Sequence, residues 1–175
     1  MSEQQCKWTN ICSLSQKFRF GLLGISLIVI ILDQLSKYYA RHHLELHELI
    51  PFIKFWNWTL AYNQGAAFSL LANQGGWQQL FFGLIAFVVI VGLVYYILNR
   101  KFSGLTGLAL SFILGGAAGN LIDRILLGKV TDFIDWYYNV HHWPTFNVAD
   151  SFISVGITIL IIESLFFAKG NKTTQ

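Results

Sequence analysis

The chain has 175 residues, 54% hydrophobic and 16% aromatic, with only 12% charged and a mean hydropathy of +0.51. That balance excludes an ordinary soluble domain and places the chain among integral membrane proteins. The formal net charge of +3 does not point to nucleic acid, because the Lys and Arg residues are scattered in ones and twos without a basic stripe.

Residues 1–19 are polar and read as a cytoplasmic tail holding Cys6 and Cys12, the only cysteines. That pair supports neither a disulfide framework nor a CxxC metal knuckle, and both are expected as reduced thiols. Residues 20–32 are uninterrupted hydrocarbon. No small-x-small cleavage site follows, and the run extends through Asp33 to Lys37, so 20–37 reads as a first transmembrane helix rather than a cleaved signal. Lys37 is expected to snorkel towards the headgroups beside Tyr38 and Tyr39. Asp33 and Lys37 stand i to i+4 on one face, either as an ion pair that makes a polar helix end tolerable or with a direct part in chemistry.

Residues 38–79 form a long external segment. Within it, 52–62 is rich in aromatic and β-branched residues, with Pro51 before it and Asn63-Gln64-Gly65 after it, a strand-and-turn pattern. Trp56, Trp58 and Tyr62 suit a small sheet lying on the membrane interface. Residues 80–98 carry no charge and stop at Asn99, Arg100 and Lys101, which gives a second span. The third, 105–126, is loaded with small residues (Gly107, Ala109, Ser111, Gly115, Gly116, Ala117, Ala118 and Gly119) and is expected at the packed centre of a bundle. Residues 127–150 follow as a second external loop, and 151–168 as a fourth span, in which Glu163 snorkels or pairs locally. The fold expected is an all-α polytopic membrane protein, a single domain of four transmembrane helices with a small extracytoplasmic β-sheet. With the N-terminus inside, seven of the twelve Lys and Arg fall in the much shorter inner segments, so both termini are expected in the cytoplasm.

Asp123, Asp132, Asp135 and Asp150 sit in or beside the last two spans, and a carboxylate near hydrocarbon is costly enough to suggest function. Asp132 lies just beyond the third helix and Asp150 at the start of the fourth. Antiparallel neighbours bring those ends together, at one depth near the outer surface. Two carboxyls in contact split their pKa values, leaving one as a base for water and one as a proton donor to a carbonyl, the logic of an aspartic protease. Ser151 has no evident His partner. His47-Glu48-Leu49-Ile50-Pro51 begins like HExxH and fails at Pro51, so no metal and no cofactor is expected, and His141 and His142 read as exposed interfacial residues. Asn120, Asp123 and Arg124 share a helix face, either as a capping and charge-pairing cluster or with Arg124 gripping a phosphate or carbonyl. A small transporter or proton pathway using the same aspartates is the alternative from another class, against which stand four unduplicated spans and acids gathered at one end. A non-catalytic scaffold leaves the aspartates unexplained.

The chain closely resembles the bacterial lipoprotein signal peptidase family, signal peptidase II, over almost its whole length. The likeness rests on Leu32-Asp33-Gln34-Leu35-Ser36-Lys37, Tyr62-Asn63-Gln64-Gly65-Ala66-Ala67-Phe68, Gly119-Asn120-Leu121-Ile122-Asp123-Arg124, Val130-Thr131-Asp132-Phe133-Ile134 and Phe146-Asn147-Val148-Ala149-Asp150-Ser151, in that order. The resemblance implies an intramembrane aspartyl endopeptidase that cuts prolipoproteins before a diacylglyceryl-modified cysteine, with Asp132 and Asp150 as its dyad. It implies that Asn63, Gly65, Asn120, Asp123, Arg124, Asn147 and Ala149 line or brace the pocket, and that Asp33 and Lys37 form a supporting, substrate-proximal pair. It also implies a bacterial inner-membrane location, membrane lipids as neighbours, inhibition by globomycin-like cyclic peptides, and action as a monomer.

Overall fold

The computed structural model describes residues 15–64 and 77–167. Four helices follow the apolar runs: α1 (Gln16–His43), α2 (Trp77–Asn99), α3 (Gly104–Leu127) and α4 (Val148–Phe167). All four are long and apolar enough to cross a membrane. Helix α1 opens at Ser15, whose side chain accepts from the Phe18 N–H at 3.3 Å, and does not end near Lys37 but continues for six residues beyond it. Lys37 therefore does not snorkel. It is fully buried inside the bundle, because carboxylates and an amide there replace the water its ammonium gives up.

Helix α3 touches each of the other three helices. Its small residues permit this: a Cβ at Gly115 would stand 2.6 Å from Val29 Cβ on α1, and one at Gly116 would strike the Ala149 carbonyl on α4. Ser103 caps its start by accepting from the Thr106 N–H at 2.9 Å, and Gly128 closes its end in the left-handed region at φ 67°. At the opposite end of the bundle from the sheet, Glu163 accepts from the Ser103 and Thr106 hydroxyls, a local pairing. Buried Arg19 donates to the carbonyls of Ile97 and Arg100, closing the end of α2.

Strands β1 (Ile50–Ile53), β2 (Trp56–Asn63), β3 (Val130–Tyr138) and β4 (His141–His142) form one antiparallel sheet in the order β1-β2-β3-β4. Each of the two segments that leave the bundle at this end supplies two strands, so the sheet is not confined to the first. The second segment reads as a loop in the sequence because Val130 to Asp135 are all buried, which erases the alternation that marks a strand, and because Asp is depleted in strands. Ala40 on α1, Phe133 and Ile134 form a core, with Trp56, Trp58 and Phe146 packed on it, and dock the sheet onto the bundle. Asp132 on β3 is thereby held over the first turn of α4.

Candidate active site

Asn147 joins the two aspartates. It precedes α4, where its Oδ1 accepts from the Asp150 N–H at 2.9 Å while its own N–H reaches Asp150 Oδ2 at 3.4 Å. This reciprocal pair is a capping box in which an aspartate takes the place of the usual Glu. The Asn147 amide nitrogen donates to Asp132 Oδ1 at 2.6 Å. Asn63 at the end of β2 hydrogen-bonds to Asp132 as well. Asn120 on α3 donates to Asp150 Oδ1 at 2.7 Å and accepts from Lys37 Nζ at 2.8 Å.

Behind this layer lies a buried charged one. Lys37 pairs with Asp33 at 2.8 Å and with Asp123 at 3.6 Å, and the side chains of all three are at most 1% exposed. Asp33 Oδ1 accepts from the Ala149 N–H at 2.9 Å, fixing the start of α4 to α1. Asp123 accepts from the Thr131 N–H at 2.8 Å, fixing β3 to α3. The Asp33–Lys37 pair is thus no makeshift at a polar helix end. It ties together the elements that carry Asp132 and Asp150. Gln34, Arg41 and Thr131 belong to the same network, through Gln34 to the Gly119 carbonyl at 3.0 Å and Arg41 to Thr131 Oγ1 at 3.0 Å. Gln34, Arg41 and Thr131 are absent from the site residues the sequence singles out; the signal for Gln34 is its place beside Asp33, directly after the hydrocarbon run of residues 20–32.

Asp132 is buried, 3% exposed. Its carboxyl is pushed up to about 7, first by burial and next by the negative charge of Asp150, against the pull of the Asn147 hydrogen bond, the Lys37 charge and the Asn63 hydrogen bond. Asp150 is half-buried and opens into a cavity of about 530 Å³ whose walls include Trp136, Trp143, Phe146, Ser151 and Val155. One carboxyl that holds its proton near neutrality stands beside one exposed to a cavity, an arrangement able to donate a proton and activate water at once. The Arg124 guanidinium donates to the Asn120 carbonyl at 3.3 Å, and its charge interacts with Asp150, Asp132 and Asp123.

The structure therefore brings together Asp132, Asp150, Asn63, Asn120, Asn147 and Arg124, with Asp33, Lys37, Asp123 and Ala149 behind them. Gly65 lies outside the described residues. Asp135 stands apart from the pair, bonded to Asn57 and His142, so His142 is a partner in the sheet and not merely an exposed interfacial residue. Among the described residues no three His, Cys, Asp or Glu side chains converge as a metal site would need.

The family model of signal peptidase (SPase) II matches residues 25–166. Lipoprotein signal peptidases of Acinetobacter baumannii and Teredinibacter turnerae are similar to the chain, the first 47% identical over 84% of both chains, the second 48% identical over 85% of this chain and 89% of its own. That of Coxiella burnetii is 49% identical over 82% and 88%. Two solved bacterial membrane enzymes, determined by the in meso method, share the fold with TM-scores of 0.77 and 0.71 at 31% and 32% identity; the first alignment covers 89% of this chain and 93% of the other. Fold, motif order and near-half identity along most of its length agree: the chain belongs to the signal peptidase II family.

Proposed function

We propose that the protein is an aspartyl endopeptidase of the bacterial inner membrane that removes signal peptides from prolipoproteins, cutting before the diacylglyceryl-modified cysteine. The observation that carries this reading is the bridge made by Asn147, which hydrogen-bonds to Asp132 at 2.6 Å and shares a reciprocal pair with Asp150. Asp132, raised to about 7, donates its proton to the scissile carbonyl, and Asp150 takes a proton from the attacking water. The tetrahedral oxygen is then neutralised by that proton, and collapse passes one to the leaving amine. No covalent intermediate is needed.

Asn63 and Asn120 hold the carboxyls at fixed angles, and Arg124 is poised for a substrate carbonyl, because its planar fork suits oxygen acceptors. The apolar cavity beside Asp150 receives the substrate at the membrane interface. In this reading the active site faces the outer side, both termini are cytoplasmic, the enzyme acts as a monomer among membrane lipids, and a globomycin-like cyclic peptide blocks it by occupying the space between the aspartates.

The test is cleavage of a synthetic diacylglyceryl-modified prolipoprotein by the purified protein, beside Asp132→Asn and Asp150→Asn, with and without a chelator. Cutting before the lipidated cysteine, indifferent to the chelator and absent from both folded variants, is the expected result. Activity surviving either substitution removes that residue from the dyad.

A further inference from the structure

One buried carboxylate takes no part in the chemistry proposed above. Asp135 is 3% exposed, three residues along β3 from Asp132. A lone carboxylate in such a place is costly, so its partners identify its role. Both lie on the neighbouring strands: Asn57 Nδ2 on β2 donates to Oδ2 at 2.8 Å, and His142 Nδ1 on β4 faces both oxygens, at 2.8 and 3.0 Å. The carboxylate fixes the histidine tautomer, with the proton on Nδ1. His142 also stacks on Tyr137, with ring centroids 5.5 Å apart.

What this anchors is a short strand at the edge of the sheet. β4 is two residues long, both exposed, and pairs with β3 only through Tyr137↔His142 and Tyr138↔His141. A strand so short is marginal by itself. Directly after it comes the segment Trp143-Pro144-Thr145-Phe146, which leads into Asn147 and walls the cavity at Asp150. Its far end is fixed by backbone bonds between Phe146 and Ile134, at 2.9 and 3.1 Å. Its near end is joined to β3 by the Trp143 N–H, which donates to the Trp136 carbonyl at 2.7 Å one residue beyond His142. The indole of Trp143 is largely exposed on that wall.

We propose that Asp135 is a positioning residue: acting through His142, it holds the β4 end of the 143–146 segment so that Trp143 shapes the substrate cavity beside Asp150. The inference rests on the cavity being the substrate site of the proposed peptidase. Asp135 touches neither substrate nor reacting atoms, so its influence falls on substrate binding and not on the chemical step.

Three variants of the full-length protein test this: His142→Ala, which removes the ring; His142→Asn, whose amide keeps an N–H near the Nδ1 position; and His142→Ala combined with Asp135→Asn. With the lipidated prolipoprotein, His142→Ala is expected to raise KM about tenfold with kcat within about twofold of the parent, the signature of lost binding rather than lost chemistry. His142→Asn is expected to recover most of that loss. The double variant is expected to be no worse than His142→Ala, because residues that act through one contact are not additive. A fall in kcat at unchanged KM, no change at all, or additive losses overturns the proposal. A second reading needs no turnover. In protein labelled with 5-fluorotryptophan, the Trp143 resonance, assigned by Trp143→Phe, shifts in His142→Ala and returns in His142→Asn; an unmoved resonance overturns the proposal even if the protein cuts no lipoprotein. A parent that fails to cleave overturns the peptidase reading instead and leaves this spectroscopic outcome to decide the anchor. Should His142→Ala not fold, Asp135→Asn alone, which keeps an acceptor for only one of its two partners, carries both measurements.

Discussion

Asn147 does two separable things, and substitutions divide them. Its Oδ1 caps α4 through the Asp150 N–H, while its amide nitrogen reaches Asp132. Asn147→Ala is expected to lower thermal stability by about 1 kcal/mol, as for other lost caps, and to reduce kcat by a factor on the order of 10² to 10³, the cost of removing an oriented polar partner from a catalytic centre. Asn147→Ser keeps a capping oxygen but gives up the amide's bonds to Asp132, to Asn120 Oδ1 at 3.1 Å and to the Thr131 carbonyl at 3.3 Å, so it should lose less stability than Asn147→Ala and still lose the activity. Unfolding in detergent and turnover, measured together, check both. The pH profile follows from Asp132. Its proton is needed for donation and its carboxyl is raised to about 7, so activity is expected to fall as pH rises through about 7. The folded state binds that proton where the unfolded chain, with an ordinary value of 3.8, has released it; stability therefore also declines as pH rises from the ordinary carboxylate range towards 7. A kcat/KM profile flat from pH 6 to about 9 contradicts the assignment. At this scale the sequence was informative where spacing is short, as for Asp33 and Lys37, one turn apart on one helix face. The contacts of Asp33 with Ala149 and of Asp123 with Thr131 were not legible, because they depend on how α1, α3 and β3 meet.

Between elements, α3 approaches α1 closely at Gly119. A Cβ added at Gly119 would stand 2.5 Å from Asp33 Oδ2, which is held by Lys37 and sits one hydrogen bond from the start of α4. Asp33 cannot yield without releasing one of these partners. Gly119→Ala is therefore expected to cost about 1–3 kcal/mol, the range for overpacking, and to lower activity further by moving Ala149 and with it Asp150. Gly83 on α2 is the control: a Cβ there would meet only Leu121 Cδ1, at 3.9 Å, so Gly83→Ala should leave turnover unchanged and cost no stability. Equal losses from both substitutions would contradict the packing argument, because alanine favours a helix over glycine and propensity alone would stabilise both variants. The run of small residues announced a closely packed third helix, and long apolar runs announced the spans, since both are matters of composition. β3 was hidden for the opposite reason. Its buried face is continuous and includes two aspartates, a pattern that only the sheet and bundle together make tolerable.

Across the whole molecule, charge and connectivity favour one orientation. Four spanning helices are an even number, so the two ends of the helical chain lie on the same side as the turn between α2 and α3, where Arg100 and Lys101 follow the last residue of α2. Lys and Arg are retained on the cytoplasmic side, so this end is proposed as inner and the sheet, with Asp132 and Asp150, as outer. Two positions separate the alternatives cleanly because both are exposed and neither touches the site: Lys101 in the turn, and Val140 at the tip between β3 and β4, 79% exposed. With Cys6 and Cys12 changed to Ser, Val140→Cys is expected to react with a membrane-impermeant maleimide on intact spheroplasts, and Lys101→Cys only after the membrane is opened. The reverse pattern would put the aspartates on the cytoplasmic side. A peptidase oriented that way would meet its substrates before export, when the lipid and the signal peptide could not yet be presented to a sheet at the outer interface.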